Sequence, residues 1–389
     1  MTAGAPPEVG FVLRHKEDDP FRVNRTNQQA LARAAARAGF ATTVLDPSRP
    51  EFESAAAHWR RQARRPVLFC WGKTLDRLPD AVADVPVLCR DGNPPWYGSA
   101  AVNYRERAGK VLLHIDHDIL DYASALNRAP VRPAAEFWCD AGDMAGAETP
   151  TSRRTILFVA AFTAIDSARL AANEARLAAM PRPVRDFAAA IMEEARGTFR
   201  RPLPEIAANL RPRLLPEAKP TGATVRAILE YCCMRFSHEE KHELAAAARE
   251  FPGIIVTPHD RERIPAHPET RFLPPMPFPR LLELFAQTRS VLAHLPQRMT
   301  GALSERFHNA GIRGAFTILP RSNAVARRPD LEPYLLPFEP GAAAVPEHLA
   351  RLRDDPGSFE AMQEPLRRTT RETYSPDRAI TAMLAHAPR

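Results

Sequence analysis

The sequence predicts an α/β protein built from two doubly wound domains. Two observations predict it. At 389 residues the chain is longer than one hydrophobic core usually supports. Short apolar runs also alternate with helical patterns along both halves, the mark of parallel sheets covered by helices on both faces. A polar, small-residue passage at 140–154 interrupts the alternation and reads as a linker, which gives a first domain at 1–150 and a second from 151.

In the first domain, residues 9–13 form an apolar strand. A helix follows at 27–38, with Thr26 or Asn27 as its cap and Gly39 as its stop. Residues 42–45 are a second strand closed by Asp46 and Pro47, 55–63 a helix and 67–71 a third strand. Two more strands are expected at 85–89 and 110–115. No GxGxxG follows the first strand and no GxxxxGK[ST] occurs, which argues against a dinucleotide fold and a P-loop enzyme. The second domain opens with a strand at 155–160, then helices at 165–180 and 184–196. The proline-rich stretch 200–222 is expected to be an exposed loop, and 238–250 a helix ended by Pro252 and Gly253. Strands at 254–257, 290–295 and 315–319 and a helix at 280–288 complete the pattern, and the last fifty residues read as helical with proline breaks.

Composition narrows the class. Hydrophobic content of 45% and charge of 25% are ordinary for a globular protein. No run approaches the roughly 18 apolar residues of a membrane helix, and the first residues lack a secretory pattern. The expected location is cytoplasmic, with no membrane span. The net charge of +7 invites a nucleic-acid partner. Only five basic residues are lysines, however, and the arginines are spread along the chain without clustered aromatics, so no nucleic acid is expected. A nucleotide diphosphate suits the charge equally well. The five cysteines form no CxxC pair and read as buried small hydrophobes, not as a disulfide framework.

The most telling stretch is 289–314. It reads as a buried strand, a loop carrying Ser304, Glu305 and Arg306, a short helix and a second buried strand. That order sets an acid, a base and a helix N-terminus at the carboxyl edge of a sheet, where open α/β sheets bind ligands. A helix N-terminus beside an arginine favours phosphate, and the glutamate can accept hydrogen bonds from sugar hydroxyls. The plain alternative is an exposed ion pair at a helix start, where glutamate is favoured anyway.

The order Gly301, Ser304, Glu305, Arg306, Phe307, Asn309, Ala310 and Gly314 resembles the nucleotide-sugar site of bacterial GT-B glycosyltransferases, most of all the spore-maturation (CgeB-like) type. Residues 154–160 resemble the strand that opens that family's second domain, and 346–356 with 374–377 its closing helices. The resemblance implies two Rossmann-like domains facing a cleft, a donor domain at 151–365, and a C-terminal helix at 366–389 returning to the first domain. It implies a transferase that takes sugar from a nucleotide-diphosphate sugar without a metal or other cofactor. The acceptor would be a glycan, a protein or a small molecule. Residues 301 and 304–310 would bind the donor, Arg306 neutralising its diphosphate and Glu305 positioning sugar or ribose as a catalytic residue. Two departures are visible. Asn309 stands where the wider motif has a second glutamate, and Val159-Ala160-Ala161 stands where glycines usually follow the opening strand. They motivate a second reading, a degenerate GT-B protein that binds nucleotide or a partner without turnover.

Two loops of the first domain are acceptor candidates. In 114–118, Asp116 or His117 would contact the acceptor or act as base, or else the segment is a polar turn in which Asp118 caps a helix. In 91–96, Asp91, Asn93 and Trp96 lie beyond a strand, and Trp96 either stacks on a sugar or closes the loop. His238-Glu-Glu-Lys-His242 matches the zinc pattern HExxH and gives a third reading, a zinc hydrolase. Its charged middle residues favour a capping box on a surface helix instead, with Ser237 as cap and Glu240 at the third position.

Overall fold

The computed structural model describes residues 6–387 except 92, 97–106, 108, 127–128, 140–152, 163–166, 217–220, 259–263 and 296–297. Most of the expected linker thus lies outside the described residues. The first sheet comprises β1 (Glu8–Val12), β2 (Thr42–Leu45), β3 (Pro66–Trp71), β4 (Val87–Asp91), β5 (Lys110–His114) and β6 (Val131–Pro133). Its order is β2-β1-β3-β4-β5-β6, and every pairing is parallel. Both faces are covered, which is why the strands read as continuous apolar runs. Val9, Phe11, Phe69 and Leu113 pack on the face shared with α1 (Val23–Arg37), while Leu68, Cys70, Cys89 and Leu112 face α2 (Phe52–Gln62). A short α3 (Leu120–Ala125) follows β5.

The second sheet comprises β7 (Ile156–Ala161), β8 (Ile254–Val256), β9 (Arg271–Leu273), β10 (Thr288–Leu292), β11 (Phe316–Pro320) and β12 (Leu335–Phe338). It is also parallel throughout, in the order β12-β11-β10-β7-β8-β9. The chain runs outward from β7 in one direction and outward from β10 in the other, so the switch point lies between them. Four helices fill the connection from β7 to β8: α4 (Ser167–Ala178), α5 (Arg182–Arg196), α6 (Leu203–Leu214) and α7 (Gly222–Ala247). They build a core of their own around Phe187, Ile191, Ile206, Cys232 and Phe236, which also takes in Trp96, Ile119 and Tyr122 of the first domain. The rest are α8 (Phe278–Ala286), α9 (Glu305–Gly311), α10 (Asn323–Ala326), α11 (Val345–Asp354), α12 (Gly357–Thr373) and α13 (Pro376–Leu384). Among the described residues no helix is long and apolar enough to cross a membrane.

The crossing-back tail is α13. Its Ala379, Ile380 and Met383 are buried in the first domain's core beside Phe11 and Leu31, although α12 packs against α9 in the second. Gly314 shows why that packing is close. Its φ is +71°, and a Cβ there would lie 2.7 Å from Arg367 Nε of α12.

Several sequence expectations need correction. The helix of the first domain starts at Val23, not Asn27, and neither Thr26 nor Asn27 caps it. Asp19 takes the free Arg25 N–H at 2.7 Å instead, reaching in from outside the helix. Residues 203–214 are a helix, not an exposed loop, because Pro202 and Pro204 sit at its start, where no N–H partner is needed. The helix expected from 238 begins sixteen residues earlier at Gly222, with Thr221 as its cap. Ser237 is therefore in mid-helix and caps nothing. Nor is that helix a surface one there, since Glu240 and Lys241 are buried.

Candidate functional site

The carboxyl ends of β7 and β10 frame a cationic cluster. Ser304 closes the loop after β10, and its hydroxyl accepts from Arg306 N–H at 3.3 Å to start α9. Arg306 reaches back to the end of β7, where its Nη2 donates to Ala161 O at 2.7 Å. His294, just past β10, is buried and its Nδ1 has no hydrogen-bond partner. Burial, with Lys241 and Arg306 beside it, drives His294 well below the usual histidine range, so it is neutral near pH 7. Lys241 comes from α7, far away in sequence. Burial first, and then the charge of Arg306, push it down to about 8, although Glu240 partly offsets this. Arg306 itself is lowered by burial, with Glu305 opposing. Two cations, Lys241 and Arg306, thus crowd one spot beside a neutral histidine, and the charge of Arg306 disfavours the charged form of Lys241. The short α9, only seven residues long, adds little of the dipole the sequence suggested. The side chains carry the charge.

Glu305 is exposed at the start of α9. Its charge acts on Arg90, at the end of β4, whose guanidinium carbon stacks 4.3 Å from the Trp71 ring centre. The remaining donor candidates point elsewhere. Phe307 and Ala310 are buried in the second domain's core. Asn309 is buried, and its Oδ1 accepts from Cys139 N–H at 2.7 Å, so that amide oxygen ties down the segment leaving the first domain. Gly301 faces the first domain, with its N–H on Asp116.

The first domain's edge is bound up in contacts. His114 is buried at the end of β5. Its Nδ1 accepts from Asp116 N–H at 3.0 Å, so its Nε2 carries the proton and donates to Asn93 O at 3.1 Å. Burial lowers it and keeps it neutral. Asp91 accepts from Asn93 N–H at 2.9 Å, which shapes the loop. Trp96 neither stacks in the open cleft nor faces solvent. It is 3% exposed and meets Tyr122 edge to face at 5.6 Å against the helical insert. His117 is exposed on the same loop as Asp116. Asp116 is the N-cap of a short turn and accepts from Asp118 N–H, whereas Asp118, the cap expected from sequence, is engaged by Thr300, Asn323 and Arg327 of the second domain.

Sequence reasoning missed Lys241, His294, Arg90 and Glu136. Glu136 accepts from Leu303 N–H at 2.8 Å and pairs with His308 at 3.3 Å, linking the segment after β6 to the start of α9 and the loop before it. Lys241 stood inside HExxH, but the helix period alone did not say which face was buried. In that motif the His238 and His242 rings lie 4.5 Å apart, while Glu239 pairs with Arg235 and Arg196. Among the described residues no group of three His, Cys, Asp or Glu side chains is placed to hold a metal ion.

No family model matches the chain, and no curated protein does. Solved structures do. The chain is similar to T4 phage BGT in complex with its UDP-glucose substrate, with TM-score 0.56 and 7% identity over 98% of this chain and 100% of that one. It is similar to an α-glucosyltransferase in complex with UDP-glucose and DNA containing an abasic site, with TM-score 0.53 and 8% identity over 98% and 99%. It is also similar to AviGT4, a glycosyltransferase involved in avilamycin A biosynthesis, with TM-score 0.50 and 12% identity over 98% of each chain. At such identities the likeness concerns the fold. Two Rossmann-like domains, each on a six-stranded parallel sheet, face one another in the GT-B arrangement.

Proposed function

We propose that the chain is a glycosyltransferase that takes sugar from a nucleotide-diphosphate sugar. The observation that carries this reading is the convergence of Arg306, Lys241 and His294 at the β7/β10 switch point. Ligands of open α/β sheets sit at that point, and a diphosphate is the ligand that relieves such crowding. The leaving diphosphate gains negative charge as the sugar departs, so fixed cations favour the transition state over the bound donor. These side chains supply the charge, and in this reading no metal is needed. Glu305, exposed at the start of α9, accepts hydrogen bonds from the sugar or ribose. Kinship with the spore-maturation type rests on the order Gly301, Ser304, Glu305, Arg306.

The acceptor enters from the first-domain side, past Arg90 and His117, and is a glycan, a protein or a small molecule. Nucleic acid is kept as a test arm, because the chain carries a net charge of +7 and one similar structure holds DNA. Asn309 favours the alternative, a GT-B protein that binds nucleotide without turnover. No carboxylate occupies its position, and its amide oxygen is committed to Cys139.

Thermal unfolding with nucleoside diphosphates and their sugar conjugates, with and without a chelator, tests the reading. A ligand that binds only the folded state raises the melting temperature. The expected result is a shift with one nucleotide that ignores the chelator and disappears in Arg306→Ala. A cooperative melt that no nucleotide moves sinks the proposal. If a nucleotide binds, release of free nucleotide from its sugar conjugate is then assayed with oligosaccharide, protein and duplex DNA acceptors. Binding without release under every condition supports the non-catalytic alternative.

A further inference from the structure

The loop after β5 reaches across the cleft into the second domain. Asp116 is fully buried there. Its Oδ1 accepts from Gly301 N–H at 3.0 Å and from Asp118 N–H at 2.8 Å. Its Oδ2 is buried as well and has no hydrogen-bond partner. The backbones approach so closely that a Cβ on Gly301 would lie 2.4 Å from Asp116 Oδ1 and 2.5 Å from Asp118 N. Asp118 extends the contact. Its Oδ2 accepts from Thr300 Oγ1 at 2.5 Å and Asn323 Nδ2 at 2.8 Å, and Oδ1 pairs with Arg327.

We propose that Asp116, seated on Gly301, is a proton-linked clasp between the two domains: a positioning residue that fixes the loop leading to Ser304 and Arg306, and that takes up a proton when the domains close. An ionised carboxylate needs donors for both oxygens. In the closed form Oδ1 has two and Oδ2 has none, so closing strips the water from one charged oxygen and returns nothing. A proton on Oδ2 removes that cost. Burial accordingly pushes Asp116 up to about 7, while the Gly301 N–H and the charge of Arg327 act to lower it and Glu136 acts to raise it. The other titratable groups around it are Asp118, His114 and His117 of its own loop. His114 is neutral, and Arg327 is already engaged by Asp118.

With the domains apart, Asp116 meets water and titrates near its ordinary value of about 4. The closed form holds the proton more tightly. Closure is therefore strongest below about pH 4, weakens by up to roughly tenfold per pH unit between about 4 and 7, and is level above.

Amide hydrogen exchange of the segment 299–304 in the full, ligand-free chain reads this opening even when it is rare. After correction for the intrinsic rate, protection of Gly301 N–H is expected to fall by up to tenfold per unit from pH 5 to 7 in the native chain. Asp116→Asn keeps an acceptor for Gly301 and Asp118 but cannot titrate, so its protection is expected to be flat. Gly301→Ala is expected to lose protection at every pH and to enlarge the radius of gyration in X-ray scattering. If Asp116→Asn does not fold, Asp118→Asn replaces it and is expected to keep the pH slope, because Asp116 remains. Protection in the native chain that ignores pH, or an Asp116→Asn profile that follows the native one, overturns the proposal. The clasp rests on the proposed function only through the loop it fixes. A chain that binds no nucleotide yet shows the exchange slope defeats that function and leaves the clasp standing.

Discussion

At the carboxyl edge of the second sheet, Arg306 and His294 have no ion-pair partner among the described residues and stand with Lys241 beside the cleft. At the matching edge of the first sheet, His114, Asp116, Asp118 and Trp96 are all hydrogen-bonded or packed. Both edges put loops with polar side chains at the ends of parallel strands. One edge gathers basic side chains from three elements, and the other uses its polar groups to hold the domains together. Position at a sheet edge therefore nominates a residue for function, but the partners it already has decide whether it is available.

The largest expected effect separates the two edges by stability. Trp96→Ala empties a site buried between the first domain and the helical insert and should cost about 3–5 kcal/mol in chemical unfolding, while nucleotide affinity at the surviving fold stays within a few-fold. A large loss of affinity with little loss of stability would put Trp96 on the ligand side after all. Arg306→Ala should do the reverse. Calorimetric titration is expected to show nucleotide binding weakened by about 2–4 kcal/mol, since a buried charge contact to phosphate is lost, with the melting temperature of the free chain little changed or raised, because like charges no longer crowd.

Third is a pH effect. Lys241 is held down at about 8, and a bound diphosphate would raise it. Affinity should be steady below pH 8 and fall by up to roughly tenfold per unit as pH climbs above it. Lys241→Met should bind more weakly at pH 7 and lose the decline above 8. A native profile that stays flat to pH 9.5 would remove Lys241 from the site. The smallest effect is at the surface. Arg37 donates twice to Asp377 of α13, but both side chains are about half exposed. Asp377→Asn should cost less than about 1 kcal/mol. A greater loss would mean that the docking of α13 depends on charge more than on the apolar face of Ile380 and Met383.

The sequence revealed the long, buried strands best. Segments such as Pro66–Trp71 and Phe316–Pro320 are continuous apolar runs between turn signals, and two covered faces demand such runs. The edge strands β6, β9 and β12 escaped notice, because three or four residues such as Val-Arg-Pro leave no period to detect. Prolines hid α6, since only the structure distinguishes a proline at a helix start from one that breaks a helix. Glu305 and Arg306 were legible as neighbours in sequence. Lys241 and His294 were not, because they join Arg306 from α7 and from the end of β10 through folding alone. The clasp was half legible: 114–118 was recognised as polar and turn-like, but Gly301, which it grips, lies 185 residues on from Asp116.

The placement of α13 has a consequence for how the molecule is made. Residues 376–384 complete the core of a domain whose first strand is residues 8–12. During vectorial synthesis the first domain emerges from the ribosome without one wall, and its apolar face near Phe11 and Leu31 waits until residues 376–384 have been translated. The nascent protein must shield that face for the time needed to make more than two hundred further residues, roughly 10–40 seconds at about 5–20 residues per second. A premature stop after α12 would leave the second domain's sheet intact and strand the first one unfinished.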